Sequence, residues 1–110
     1  MTKKFEIPIT NEDRCEVEME IDRGQMVSFV IRYDGFIDGR WRNIAVFDTH
    51  GGSAHWHLVD PILGKREKQP IPLDLKQVVT YAIDTIKHEW EEMRAWYLRR
   101  LTGHDQQNLF

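Results

Sequence analysis

Cys15-Glu16-Val17-Glu18-Met19-Glu20-Ile21-Asp22 decides the fold. Apolar and acidic side chains alternate along it, and successive residues of a strand point to opposite faces. The stretch is a half-buried strand with one wet, acidic face. Asp22-Arg23-Gly24-Gln25 then turns the chain. Met26 to Phe36 returns it, with Val27, Phe29, Ile31 and Tyr33 expected on one face. Asp38-Gly39 is a hairpin signal, because a tight hairpin turn needs residues that tolerate positive φ. Trp41 to Asp48 is the next strand. Gly51-Gly52 predicts a two-residue loop, and Ser53 to Val59 the strand that follows it. Asp60-Pro61-Ile62-Leu63-Gly64 closes that strand, and Lys65 to Gln69 reads as a short, lysine-rich edge strand. On the other side, Phe5 to Ile9 reads as a further edge strand or arm. Strands in sequential order make an antiparallel meander the simplest topology.

The last third changes period. Gln69-Pro70-Ile71-Pro72 is an extended connector, since proline removes donors and biases its predecessor away from helix. Asp74 has the chemistry of an N-cap, with Gln77 placed to complete a capping box. From there Leu75, Val79, Ala82, Ile86, Trp90, Met93, Tyr97 and Leu101 recur at helical spacing. Gly103 is the natural stop, and Arg94, Arg99 and Arg100 suit the negative end of the helix dipole. The expected fold is α+β: a four- to five-stranded antiparallel β-meander over about residues 5–69, packed against one long C-terminal helix over 74–102. Residues 104–110 are expected to be a flexible polar tail. The 110 residues form one domain, 41% hydrophobic.

A net charge of -3 argues against a general electrostatic surface for nucleic acid or membrane, though not against a local basic groove. The single cysteine, Cys15, allows no internal disulfide, and its place in the alternating strand makes it a structural thiol rather than a nucleophile. No apolar run approaches the roughly 20 residues that span a bilayer, and no signal-peptide core opens the chain. The expectation is a soluble cytoplasmic protein.

The chemistry is concentrated in Asp48-Thr49-His50-Gly51-Gly52-Ser53-Ala54-His55-Trp56-His57, which holds three of the five histidines. With the glycine pair as the loop, Asp48 faces His55, Phe47 faces Trp56 and Val46 faces His57. Thr49 would then pair with Ala54, and His50 with Ser53. Asp48, His50, His55 and His57 share one face, and the Phe47–Trp56 pair makes the other face the core. Three chemistries are open to such a face. A divalent metal could take two or three imidazoles plus Asp48. A metal-free pair could cleave RNA, one histidine taking the 2′-OH proton and another protonating the leaving oxygen, with Asp48 orienting His55. The face could also only bind bases or phosphate. The plain alternative is strand histidines satisfied by water and backbone. His88, with Asp84 and Glu92 on a helix face, reads as solvated, and His104 falls in the tail. Trp41, Trp56, Trp90 and Trp96 read as core and interface residues. No H-E-x-x-H, P-loop, G-x-G-x-x-G or C-x-x-C pattern is present.

From about Phe29 to Leu101 the chain resembles a small uncharacterised prokaryotic protein family. The resemblance rests on Trp41, on Val46 to His55 with its D-T-H-G-x-x-A-H motif, on Asp60-Pro61, on Val79 to Lys87 with its Y-A-I-D-x-I-K motif, and on Trp90-Glu91 and Arg94. In layout it is also loosely similar to TumE-type toxins of toxin–antitoxin pairs. Those carry their histidines beside proline and phenylalanine where this chain has Gly51-Gly52. The resemblance implies Asp48, His50 and His55 as signature positions, with His57 an addition. The functional expectation is a small toxin–antitoxin or defence-associated protein acting on or binding RNA through the hairpin, with RNA or a cognate antitoxin protein as its partner. The alternative is a non-enzymatic homodimeric interaction module with structural histidines. A homodimer is expected because the sheet, about 20 Å wide, exceeds the cover of one helix about 10 Å in diameter. Val27, Phe29, Ile31, Tyr33, Phe47, Trp56 and Leu58 on the strands, and Trp96, Tyr97, Leu98 and Leu101 on the helix, would supply the surplus.

Overall fold

The computed structural model describes residues 1–49, 52–65 and 67–103; the expected tail lies outside them. Five long strands follow in order: β1 Thr2–Thr10, β2 Asp13–Asp22, β3 Gln25–Ile37, β4 Arg40–Asp48 and β5 His55–Asp60. Each pairs antiparallel with the next. The expected lysine-rich edge strand is instead two short pieces, β6 Gly64–Lys65 and β7 Gln69–Pro70, which both pair with β5. Helix α1, Leu75–Thr102, completes an α+β fold in which one long helix packs on an antiparallel meander.

Local chemistry sets these boundaries. The β2–β3 turn places Arg23 and Gly24 at φ 53° and 76°, and the β3–β4 turn places Asp38 and Gly39 at 51° and 80°. Two successive positive φ values match the strand twist of a tight hairpin. Asp74 caps α1 by accepting from the Gln77 N–H at 2.9 Å, and the Gln77 side chain reciprocates by accepting from the Asp74 N–H at 3.3 Å. Gly103, at φ 80°, ends the helix in the left-handed region.

The core lies between α1 and strands β2 to β5. Cys15, Val17, Phe29, Ile31, Tyr33, Ala45 and Phe47 from the sheet meet Val78, Ala82, Ile86, Met93 and Tyr97 from the helix. Burial pushes the Cys15 thiol up to about 11, against partial relief from Lys87, so it stays protonated at neutral pH. Most of the expected helical stripe is present, but Leu75 and Val79 flank it and Val78 takes its centre. Two bulges also alter the expected faces. The register shifts between Glu20 and Ile21, where Val27 becomes the extra residue; it turns outward, 51% exposed, and the neighbouring Met26 packs on the core instead. A second shift, between Tyr33 and Asp34, leaves Ile44 as the extra residue, so Ile44 to Phe47 are four consecutive buried positions.

Two buried ion pairs fix the helix to the sheet. Arg94 Nη1 donates to Asp13 Oδ1 at 2.8 Å and Nη2 to the Phe36 carbonyl at 3.0 Å. Tyr33 donates its hydroxyl to the same Asp13 oxygen at 2.6 Å, and Thr10 donates to Oδ2. Burial, and then the bond to Asp13, hold the Tyr33 phenol well above its ordinary range. Further along, Arg100 donates through Nε and Nη2 to Asp60 Oδ2, at 3.1 and 2.9 Å. Asp60 Oδ1 accepts from the N–H groups of Ile62 and Leu63.

Gly35 makes the first of these clamps sterically possible. A Cβ there would stand 2.8 Å from Ile44 Cδ1 and 3.0 Å from Arg94 Nη1. Gly35→Ala is expected to cost about 1–3 kcal/mol, as overpacking does. A urea midpoint unchanged from the parent protein would show that Ile44 and Arg94 yield freely.

Candidate functional site

The β4–β5 ladder pairs Ala45 with Leu58, Val46 with His57, Phe47 with Trp56 and Asp48 with His55. That is the register expected from the sequence. Phe47 and Trp56 stack at 5.9 Å between centroids, and Phe47 meets Tyr81 of α1 edge-on at 6.3 Å. The aromatic pair thus faces the helix, and Asp48, His55 and His57 share the opposite face.

Beyond Asp48–His55 the expected hairpin changes. The ladder stops there, so the Thr49–Ala54 pairing is not made. Thr49 continues the β3–β4 ladder instead: its N–H donates to the Phe29 carbonyl at 3.2 Å, and its hydroxyl accepts from the Phe29 N–H at 3.1 Å. Ala54 turns to the connector, accepting from the Ile71 N–H at 3.0 Å. The connection is therefore wider than two residues. His50 and Gly51 lie outside the described residues, and so does the expected His50–Ser53 pairing.

Asp48 and His55 are half-buried and directly opposed. Asp48 Oδ1 and His55 Nδ1 are both shielded from solvent, and neither has a hydrogen-bond partner among the described residues. Opposed residues hold their Cβ atoms about 4.5–5.5 Å apart, so the two side chains start as close neighbours on this face. The other ring nitrogen, Nε2, lies 3.4 Å from Ser53 Oγ on the exposed side. His57 has a different setting. It is on the same face but only 5% exposed, so it is not the accessible imidazole that an acid/base partner for His55 would have to be. Among the described residues, no three His, Cys, Asp or Glu side chains come together as a metal site.

The sequence reading missed Arg32. It is half-buried, its β3 position pairs with Val46, and Val46 is two residues from Asp48 on the same face. Its side chain makes no ion pair or hydrogen bond among the described residues. By contrast Arg14, Arg94 and Arg100 are spent on internal carboxylates. The strand alternation places Arg32 on the outer face, and that was the available signal. The neighbouring outer face is mixed: Arg14 bridges Glu16 and Asp34 and stacks over Trp41 at 4.1 Å. Burial foremost raises the Asp34 carboxyl, against the bond from Asn43. His88 is exposed, as expected.

Several residues that carry the family resemblance now have structural reasons. Asp60 and Arg94 are the anchors of the two clamps, and Phe47 and Tyr81 join the sheet to the helix. Asp48 and His55 take part in neither, and each keeps a shielded side-chain atom without a hydrogen bond among the described residues. No helix among the described residues is long and apolar enough to cross a membrane. Comparison with curated proteins and with solved structures returns no match, to toxins or to any other class. One family model, described as a domain of unknown function (DUF7718), matches residues 1–103, and with nearly the whole chain covered the protein belongs to that family.

Proposed function

We propose that Asp48 and His55 form a metal-free acid/base pair that acts on RNA, in a small toxin–antitoxin or defence-associated protein. The observation that carries the reading is the opposed pair of shielded, unsatisfied atoms, Asp48 Oδ1 and His55 Nδ1. A carboxylate beside an imidazole fixes its tautomer and stabilises the imidazolium formed on proton uptake. His55 Nε2 then accepts the proton of a ribose 2′-OH as the 2′-oxygen bonds to the adjacent phosphorus; the P–O5′ bond breaks, the leaving 5′-oxygen takes a proton from water, and Arg32 offers a guanidinium to the phosphate. His57, being buried, serves as a packing residue in this reading. His55→Ala should reduce cleavage of single-stranded RNA by about 100-fold or more while leaving the thermal midpoint within a few degrees. Arg32→Ala should weaken RNA binding without changing the pH profile. RNA left intact by the parent protein, with no effect of its expression on growth, would overturn the proposal.

A second reading, a homodimeric interaction module, no longer rests on surplus core residues. Phe29, Ile31, Tyr33, Phe47 and Tyr97 are buried within one chain, and Trp56, Leu58, Trp96, Leu98 and Leu101 pack against its core. What favours the reading is β1, a nine-residue strand paired on one side only among the described residues.

A further inference from the structure

We infer that β1 is a self-complementary edge through which two copies of this chain pair antiparallel in one fixed register. The inference rests on the homodimeric reading and names its surface.

The backbone sets which groups are available. Met1 and Ile21 exchange both bonds, Ile21 N–H to Met1 carbonyl at 2.8 Å and Met1 N to Ile21 carbonyl at 2.7 Å. Bonded and non-bonded pairs alternate along an antiparallel ladder. Lys3, Phe5 and Ile7 therefore direct their backbone groups to β2, while Thr2, Lys4, Glu6 and Pro8 direct theirs to the open edge. Pro8, which has no N–H, stands where its nitrogen faces away from β2, as edge prolines do.

Side chains then select the register. A two-fold axis at Phe5 sets Lys4 against Glu6 of the second copy, and Glu6 against its Lys4. Each such pair exchanges two backbone bonds, and the Thr2–Pro8 pairs add the one bond that proline permits. Moving the axis by one residue to the next bonded position sets Lys4 against Lys4, or Glu6 against Glu6, and opposed like charges are destabilising. In the Phe5 register the two Phe5 rings, each 39% exposed, meet on the axis. Lysine and proline protect an edge from indiscriminate pairing. Here they leave one favourable alignment, so the protection and the self-recognition come from the same residues.

A single strand–strand contact buries less than the roughly 800 Å² per partner of a standard interface, so the dimer is concentration-dependent. Sedimentation of the full chain from about 10 µM to about 1 mM, a range bracketing dissociation constants of weak complexes, tests it. The parent protein should move toward twice its monomer mass. Lys4→Glu and Glu6→Lys should each raise Kd about tenfold, since each sets two like-charge pairs face to face. The double variant, which restores complementarity with the signs exchanged, should return close to the parent value. An equimolar mixture of the two single variants should associate more tightly than either alone. Both positions are exposed, so circular dichroism should be unchanged throughout. A single-chain mass at every concentration would overturn both the interaction-module reading and the β1 edge. A dimer indifferent to the charge changes would overturn the edge alone and leave the module reading standing.

Discussion

Arg94→Ala is expected to lower stability by about 3–5 kcal/mol, the usual result of breaking a buried pair from one side. For a domain of this size that is a fall in midpoint of roughly 10–20 °C. The Asp13 side chain is 4% exposed, and Arg94 is the cation that compensates it, at 2.8 Å. Without Arg94 the carboxylate keeps its bonds from Tyr33 and Thr10 but loses its counter-charge in a poorly hydrated place. The Phe36 carbonyl and the Glu12 carbonyl and carboxylate lose a donor as well. Arg94→Lys should recover only part of the loss, because an ammonium group cannot span the three directions that the planar fork serves. Combining Arg94→Met with Asp13→Asn should cost less than Arg94→Met alone, since the second change removes the stranded charge. Urea titration of these four variants and of Asp13→Asn alone measures this. A double variant as unstable as the sum of its parts would mean that the bonds, not the charge, matter.

Asp60→Ala should cost about 2–4 kcal/mol, by leaving two turn N–H groups and a partly buried guanidinium without their acceptor. The cost should depend on pH in a defined sense. Burial alone would raise the Asp60 carboxyl, but the N–H groups of Ile62 and Leu63 and the Arg100 guanidinium together hold it below the ordinary range. The folded state therefore binds the Asp60 proton more weakly than the unfolded chain does. Its contribution is fully present above the unfolded value of about 3.9 and is lost as pH falls through the lower, folded value. The difference in unfolding free energy between parent and Asp60→Ala should be constant from about pH 7 down to about pH 5 and close below that. A difference that widens in acid would reverse the assigned direction.

How much of this was legible in the sequence varies with the reach of each interaction. The alternation of Cys15 to Asp22, the turn chemistry of Asp38-Gly39 and the Asp74–Gln77 capping box are local, and each gave the right element. The Asp48–His55 pairing was legible for a related reason: centring the loop on Gly51-Gly52 and putting Phe47 and Trp56 together on the core face gave the register, although the connection itself is wider than the two residues expected. The bulges were not. An extra residue in a strand leaves no mark in an apolar pattern, so Val27 was assigned a face by parity that the shifted ladder reverses. The burial of His57 was invisible too, because it depends on packing around β5 rather than on its place in the alternation. Nor does spacing announce the clamps. Asp13 and Arg94 are 81 residues apart, and neither belongs to a periodic pattern.

The connectivity of the sheet has a consequence for the order in which the chain is made. Each of the five long strands pairs with its neighbour along the chain, so each of their hairpins can close as soon as it leaves the ribosome. The cover cannot. Val78, Ala82, Ile86, Met93 and Tyr97, and the arginines that lock onto Asp13 and Asp60, are all synthesised after the sheet. Throughout that interval Phe29, Ile31 and Phe47 face water, on a sheet whose carboxylates await their counter-ions. The nascent molecule is thus a sticky half-structure until its last quarter emerges, and the charge on the acidic strand face is what keeps it soluble while it waits.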